Sequence, residues 1–284
     1  MWKLKKIPKK LHLYSGGSKL SKLQLWTVIS FRRLNPDWKI NVYTPIDTGK
    51  NEMPSNSFDS TIYEGDDFFF EVEKAIGKEN IIKIHIEKDI GLNRNLHNIL
   101  KSDIFRYYIL FKEGGVWSDF DVLWIKAMEY FSNLDFFKKI QLDKVNLGVC
   151  NHFGYHSIGI LFSSKANPFW GNLIFQAKKA NIDNFQSIGS HLLNKLYPNI
   201  KTIKEKHLTI HPINIPFKCY YPYRYNQLNF LYEKEALGFL NENTIGVHWY
   251  FGDKLSKDFV NDPQSGSRRC SLNKILKIYH NLII

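Results

Sequence analysis

Residues 102–124 read SDIFRYYILFKEGGVWSDFDVLW, and this stretch decides the fold. Leu96 and Leu100 just before it and Asp103, Tyr107 and Leu110 within it recur at helical spacing, so a helix is expected over about 92–112. Gly114 and Gly115 then supply the C-cap. Residues 116–124 alternate as one strand. In an extended strand, side chains two apart share a side, which puts Asp119 and Asp121 together and Phe120 opposite, beside Val122 and Trp124. Two carboxylates flanked by apolar residues are costly to leave unpaired. A divalent cation with oxygen ligands, Mn²⁺ or Mg²⁺, removes that cost. The alternative is a surface turn with two solvated aspartates, which the flanking apolar residues argue against. Asp103 interrupts the apolar stripe of its helix, with Arg106 one turn later. That pair is either a plain intrahelical ion pair or an acid held by Arg106 at the bottom of a donor pocket.

The chain before this stretch opens on a strand over 8–15, a Gly16-Gly17 turn, and a helix from Ser18 or Ser21 that Pro36 stops at Asn35. A second strand follows over 39–45. Strand–helix–strand is the start of an α/β nucleotide-binding fold, without a G-x-G-x-x-G fingerprint. Residues 47–80 are turn-rich with a helix over 66–76, and 81–86 is a strand. Beyond Lys126, short helices are expected around 127–138 and 168–180, strands near 145–150, 157–163 and 244–250, and an amphipathic helix over 271–284. HFGYHSIGILFSS, starting at His152, reads as a loop entering a strand, with its histidines and Gly189-Ser190-His191 as candidate contacts along a ligand cleft.

The 284 residues suit one large domain, 1–284. The net charge of +12 suggests an anionic partner, whether a nucleotide diphosphate, a glycan, a membrane surface or nucleic acid. Aromatics make up 15% of the chain; most are core, and the remainder are of the kind that stack on sugars and bases. Cys150, Cys219 and Cys270 are odd in number and far apart, which argues against a disulfide framework or a thiolate zinc site and fits a reducing compartment. MWKLKKIPKK lacks a following apolar segment, and no apolar run reaches membrane-span length, so a soluble, cytoplasmic protein is expected, with lysines able to rest on a membrane.

Ser102, Asp103, Arg106, Gly114, Gly115, Asp119 and Asp121, with IPKKLHLYSGG at the start and NPDW at 35–38, resemble the D-x-D glycosyltransferases of the capsular-polysaccharide and initiating α-mannosyltransferase type. The resemblance implies a GT-A-like α/β fold with a mixed, mostly parallel central sheet flanked by helices. It implies transfer of a hexose-type sugar from a nucleotide-diphosphate sugar, UDP-sugar favoured, to a glycan or similar acceptor, with retention of configuration and no nucleic-acid partner. Asp103, Arg106 and Asp121 are then the catalytic group. Tyr14, Ser15, Asp103, Arg106, Asp119 and Lys254 would contact the donor. In NTIGVHWYFGDK (243–254), His248 is similar to the late-strand metal ligand of such enzymes, making Asp119, Asp121 and His248 the metal set, while Lys254 would meet the diphosphate. An ordinary imidazole value of about 6.5 would make metal affinity titrate through that region. A metal-dependent nucleotidyltransferase or phosphohydrolase, and a non-catalytic glycan-binding module, are the rival readings.

Overall fold

A computed structural model describes residues 2–17, 19–46, 63–92, 96–182, 184 and 186–281. The strands are β1 (Lys10–Tyr14), β2 (Lys39–Pro45), β3 (Ile81–Ile84), β4 (Gly115–Ser118), β5 (Val122–Trp124), β6 (Leu147–His152), β7 (Tyr155–Ser163), β8 (Pro212–Asn214) and β9 (Gly246–His248). The helices are α1 (Lys22–Leu34), α2 (Phe69–Ile76), α3 (Ile86–Ile90), α4 (Asn98–Glu113), α5 (Met128–Phe131), α6 (Pro168–Ala177), α7 (Ser190–Leu196), α8 (Ile200–Lys206), α9 (Leu228–Tyr232), α10 (Lys254–Asn261) and α11 (Ser271–His280).

Seven strands form one sheet in the order β3-β2-β1-β4-β7-β6-β8, while β5 and β9 form a separate two-stranded ribbon. The β1, β2, β3 and β4 pairings are parallel, as is β6 with β8, and β7 runs antiparallel to both neighbours. The α/β class with a mixed, mostly parallel central sheet is therefore as expected. Helices cover both faces. Leu25, Val28 and Phe31 of α1 pack with Leu11, Leu13, Ile40 and Val42 on one side. Leu100, Ile104 and Tyr107 of α4 pack with Trp117, Leu161, Phe169 and Trp170 on the other. A third cluster joins α9, α10 and α11 to the β5–β9 ribbon through Leu123, Val247, Trp249 and Leu276.

Local sequence explains most boundaries. Ser21 and Gln24 close a capping box at the start of α1, and Asn35 ends it before Pro36. The expected helix over 92–112 is shorter at its front: Gly91, at φ +75°, ends α3, and the His97 side chain accepts from the Ile99 N–H to start α4. Residues 93–95 of that expectation, 47–62 of the turn-rich stretch and 282–284 of the last helix lie outside the described residues. The buried His12 imidazole bonds the Gly114 carbonyl (2.8 Å) and the Tyr43 hydroxyl (3.0 Å), tying the first strand to the glycine turn before β4.

Two expectations are corrected. Residues 151–156 form a hairpin rather than a loop: His152 pairs with Tyr155, and Phe153 (φ +50°) and Gly154 (φ +80°) make the left-handed two-residue turn that matches strand twist. Residues 116–124 are two strands in two sheets rather than one strand, and the break falls on the acidic motif. All three cysteines are buried free thiols. Among the described residues no helix is long and apolar enough to cross a membrane.

Candidate metal and donor site

The N–H of Asp119 donates to the Gly159 carbonyl (2.8 Å), extending the β4–β7 ladder by one residue. At Phe120 the chain leaves that sheet, its carbonyl bonded by the Thr27 hydroxyl of α1 (3.1 Å). The Asp121 carbonyl then accepts from the Trp249 N–H (2.8 Å) and so already belongs to the β5–β9 ribbon. The two aspartates converge because each sits at the edge of a different sheet where the sheets diverge, a common place for ligands to bind in α/β folds.

Val122 pairs with His248 across the ribbon, which carries the imidazole to the same edge. Ligand atoms of Asp119, Asp121 and His248 all lie within 4.8 Å of one another. Nε2 of His248 is 3.1 Å from Oδ1 of Asp121, yet that oxygen accepts no hydrogen bond and is shut off from solvent. The other carboxylate oxygen accepts from the Phe251 N–H (2.9 Å), which the left-handed Tyr250 (φ +55°) turns inward. Nδ1 of His248 accepts from the Tyr250 N–H (3.3 Å). A neutral ring so held carries its proton on Nε2, and ligation through Nε2 requires that proton to move.

Arg106 organises the acids from below. Its guanidinium lies 2.7 Å from Asp103 and 3.1 Å from Asp119, and it donates to the Ile158 carbonyl at 2.8 Å. The Trp117 indole N–H also donates to Asp119 (2.9 Å), and the guanidinium lies over that indole ring. Asp103 and Arg106 are buried, Asp121 nearly so, and Asp119 is partly open to solvent. Three carboxylates face one guanidinium, so full ionisation leaves two uncompensated negative charges away from water. Burial accordingly pushes Asp103 up to about 7 and Asp121 up to about 6, and raises Asp119, against the pull of Arg106. Burial holds His248 neutral, its value lowered to about 4. An oxygen-rich set with one imidazole, two excess charges and a buried carboxylate oxygen that accepts no hydrogen bond fits a divalent cation of the Mn²⁺ or Mg²⁺ kind.

Two glycines make the approach possible. A Cβ on Gly159 would stand 2.7 Å from the Tyr221 hydroxyl and 3.2 Å from both Asp119 Oδ2 and His248 Nε2. One on Gly189 would stand 2.1 Å from Asp103 Oδ2. Gly159, Tyr221 and the Phe251 N–H were not legible as site groups. A lone glycine inside a strand pattern, which signals close approach of another group, is the one cue that could have exposed Gly159.

The other expected donor residues divide. Tyr14 ends β1 and Ser15 follows it; both are buried, and their hydroxyls have no hydrogen-bond partner. Lys254 is the first residue of α10; it is exposed and pairs with Asp258 one turn on (2.6 Å). His191 is exposed at the start of α7, while Ser190 is buried and bonded to the Tyr155 hydroxyl (2.7 Å).

Residues 27–140 match the family described as "Glycosyltransferase sugar-binding region containing DXD motif". This region holds Asp103, Arg106, Asp119 and Asp121; His248 and Lys254 lie beyond it. Among solved structures, the chain is similar to PaToxG glycosyltransferase at 16% identity, covering 70% of this chain and 73% of that one with a TM-score of 0.44. It is similar to the galactosyltransferase LgtC in complex with donor and acceptor sugar analogues at 13% identity, covering 85% and 87%, TM-score 0.40. The UDP-bound glycosyltransferase domain of the YGT toxin matches at 14% identity over 61% and 62%, TM-score 0.37. No curated protein matches the chain.

Proposed function

We propose that the protein is a metal-dependent glycosyltransferase that moves a hexose-type sugar from a nucleotide-diphosphate donor, UDP-sugar favoured, to a glycan or similar acceptor. The observation that carries this reading is the convergence of Asp119, Asp121 and His248 within 4.8 Å, inside and beside a matched D-x-D region.

In this reading Asp119, Asp121 and His248 hold Mn²⁺ or Mg²⁺, which when bound offsets the charge that develops on the leaving diphosphate. Arg106 fixes Asp119 in position and holds Asp103 at the base of the pocket, where its carboxyl meets sugar hydroxyls. The unpartnered Tyr14 and Ser15 hydroxyls are suited to the nucleotide, being polar groups at the carboxyl end of a central strand. Lys254 is exposed enough to exchange Asp258 for the diphosphate. Retention of configuration is proposed on family resemblance, with the leaving phosphate assisting deprotonation of the acceptor and no enzymatic nucleophile.

The test is a panel of nucleotide sugars scored for Mn²⁺-dependent release of nucleoside diphosphate and for sugar transfer. Activity with at least one donor, abolished by chelation, is expected. Pyrophosphate or phosphate release without sugar transfer would move the site to nucleotidyl transfer or phosphate hydrolysis.

A further inference from the structure

Beside the metal set lies a second cavity of about 340 Å³ whose walls include His152, Phe217, Lys218, Tyr221, Arg224 and Phe239. Tyr221 is shared between the two sites. Its ring packs against His248 (centroids 5.0 Å apart) on one side and stacks on Phe217 (4.7 Å, 21° between planes) on the other. Phe217 in turn stacks on His152 (4.6 Å, 18°), so aromatic rings run without interruption from the metal set to the mouth of the hairpin turn. Phe153, against His152 (centroids 4.2 Å apart), and Tyr225, next in sequence to Arg224, are exposed at 90% and 66%.

The charges in this cavity have one sign. Lys218 and Arg224 line it and no acid does. Among the described residues no carboxylate forms an ion pair with either. Arg224 is instead aimed by a contact of 3.4 Å from its Nη2 to Nε2 of His152. The stacked rings brace one another, and the apolar wall they form with Pro222 and Phe239, next to a guanidinium and an ammonium that no described carboxylate neutralises, suits a pyranose bearing an anionic substituent that the guanidinium can grip bidentately.

We propose that this cavity is the acceptor subsite and that it selects a glycan carrying an anionic group, carboxylate or phosphate, next to the sugar that receives the transferred residue. The inference rests on the glycosyltransferase reading for its role in transfer, and on the cavity alone for its binding chemistry.

Binding is therefore measured directly and without donor, by calorimetry or ligand-observed NMR. The probes are a methyl glucuronide, methyl glucoside 6-phosphate and neutral methyl glucoside. Either anionic probe, or both, should bind at least about tenfold more tightly than the neutral one, and the tighter of the two identifies the anion. Arg224→Ala should remove the preference, Arg224→Lys should restore part of it, and Phe217→Ala should weaken all three probes, with melting curves verifying the fold of each variant. Equal affinity of the parent for charged and neutral probes, no detectable binding of any probe, or an undiminished preference in Arg224→Ala would overturn the proposal. Failure of the underlying reading shows separately, as absence of Mn²⁺-dependent nucleotide-sugar turnover in the parent protein.

Discussion

Oδ1 of Asp121 lies 3.1 Å from Nε2 of His248; Asp121 reaches that edge from just before β5 and His248 from the end of β9, its ribbon partner. The buried oxygen accepts no hydrogen bond there. A cation between the two groups would relieve both the unmet oxygen and the excess negative charge of the cluster.

Asp121→Asn should therefore abolish Mn²⁺-dependent donor turnover, by about two orders of magnitude or more, with the fold retained, because the amide keeps the Phe251 contact and removes the charge. Calorimetric Mn²⁺ titration in the presence of UDP, together with circular dichroism, reads both. Near-parental metal affinity in a folded variant would sink the ligand assignment.

The pH dependence should follow Asp121 rather than His248. Ligation needs the deprotonated forms. His248, lowered to about 4, is already neutral at pH 5, whereas Asp121, raised to about 6, takes up a proton as the pH falls through that value. Apparent Mn²⁺ affinity should drop on acidification below about pH 6, and His248→Ala should weaken binding at least about tenfold while keeping this drop. Titrations at pH 5, 6 and 7 decide the point; loss of the drop in His248→Ala would show that the imidazole is the titrating group.

Asp103 should shape the stability of the metal-free protein. Its folded value, about 7, exceeds the ordinary 3.8, so between those values the folded state holds a proton that the unfolded state has released. The contribution is therefore full below about pH 4 and is lost as pH rises toward 7. The melting temperature of the parent relative to Asp103→Asn should fall from pH 4.5 to 7.5 with metal chelated. A constant difference across that range would place the titration elsewhere.

Asp103→Ala should cost about 3 kcal/mol in urea denaturation above pH 7, where the carboxylate is ionised, the low end for breaking a buried ion pair, since Arg106 keeps Asp119 and the Ile158 carbonyl. A variant with the parent's midpoint would return Asp103 to the class of dispensable surface pairs.

Gly159→Ala should weaken metal binding more than it lowers stability. The added methyl meets the Tyr221 hydroxyl at 2.7 Å and crowds Asp119 and His248 at 3.2 Å, so both ligands are pressed from the side where Gly159 leaves room. Comparison of melting temperature with Mn²⁺ affinity separates the two effects, and unchanged affinity would show that the cluster tolerates a wider opening.

What the sequence determined was local. Ser21, Pro36 and the Gly114-Gly115 pair mark where α1 and α4 stop or start, and the spacing of Leu100, Asp103, Tyr107 and Leu110 gives the buried face of α4. Asp103, Asp119 and Asp121 stood out in the sequence as ionisable side chains set among apolar neighbours, costly without partners, whereas His248 was joined to them only through the family resemblance. The tertiary structure decided what no short window contains. Asp119 and Asp121 look like one strand, and only long-range hydrogen bonds to Gly159 and Trp249 show them entering different sheets. Gly159, Tyr221 and the backbone of Phe251 join the site from distant positions. The value of about 4 at His248, in place of an ordinary imidazole's, comes from burial. Desolvation and charge are sums over every neighbour in space, whereas chain spacing reports only neighbours along the backbone.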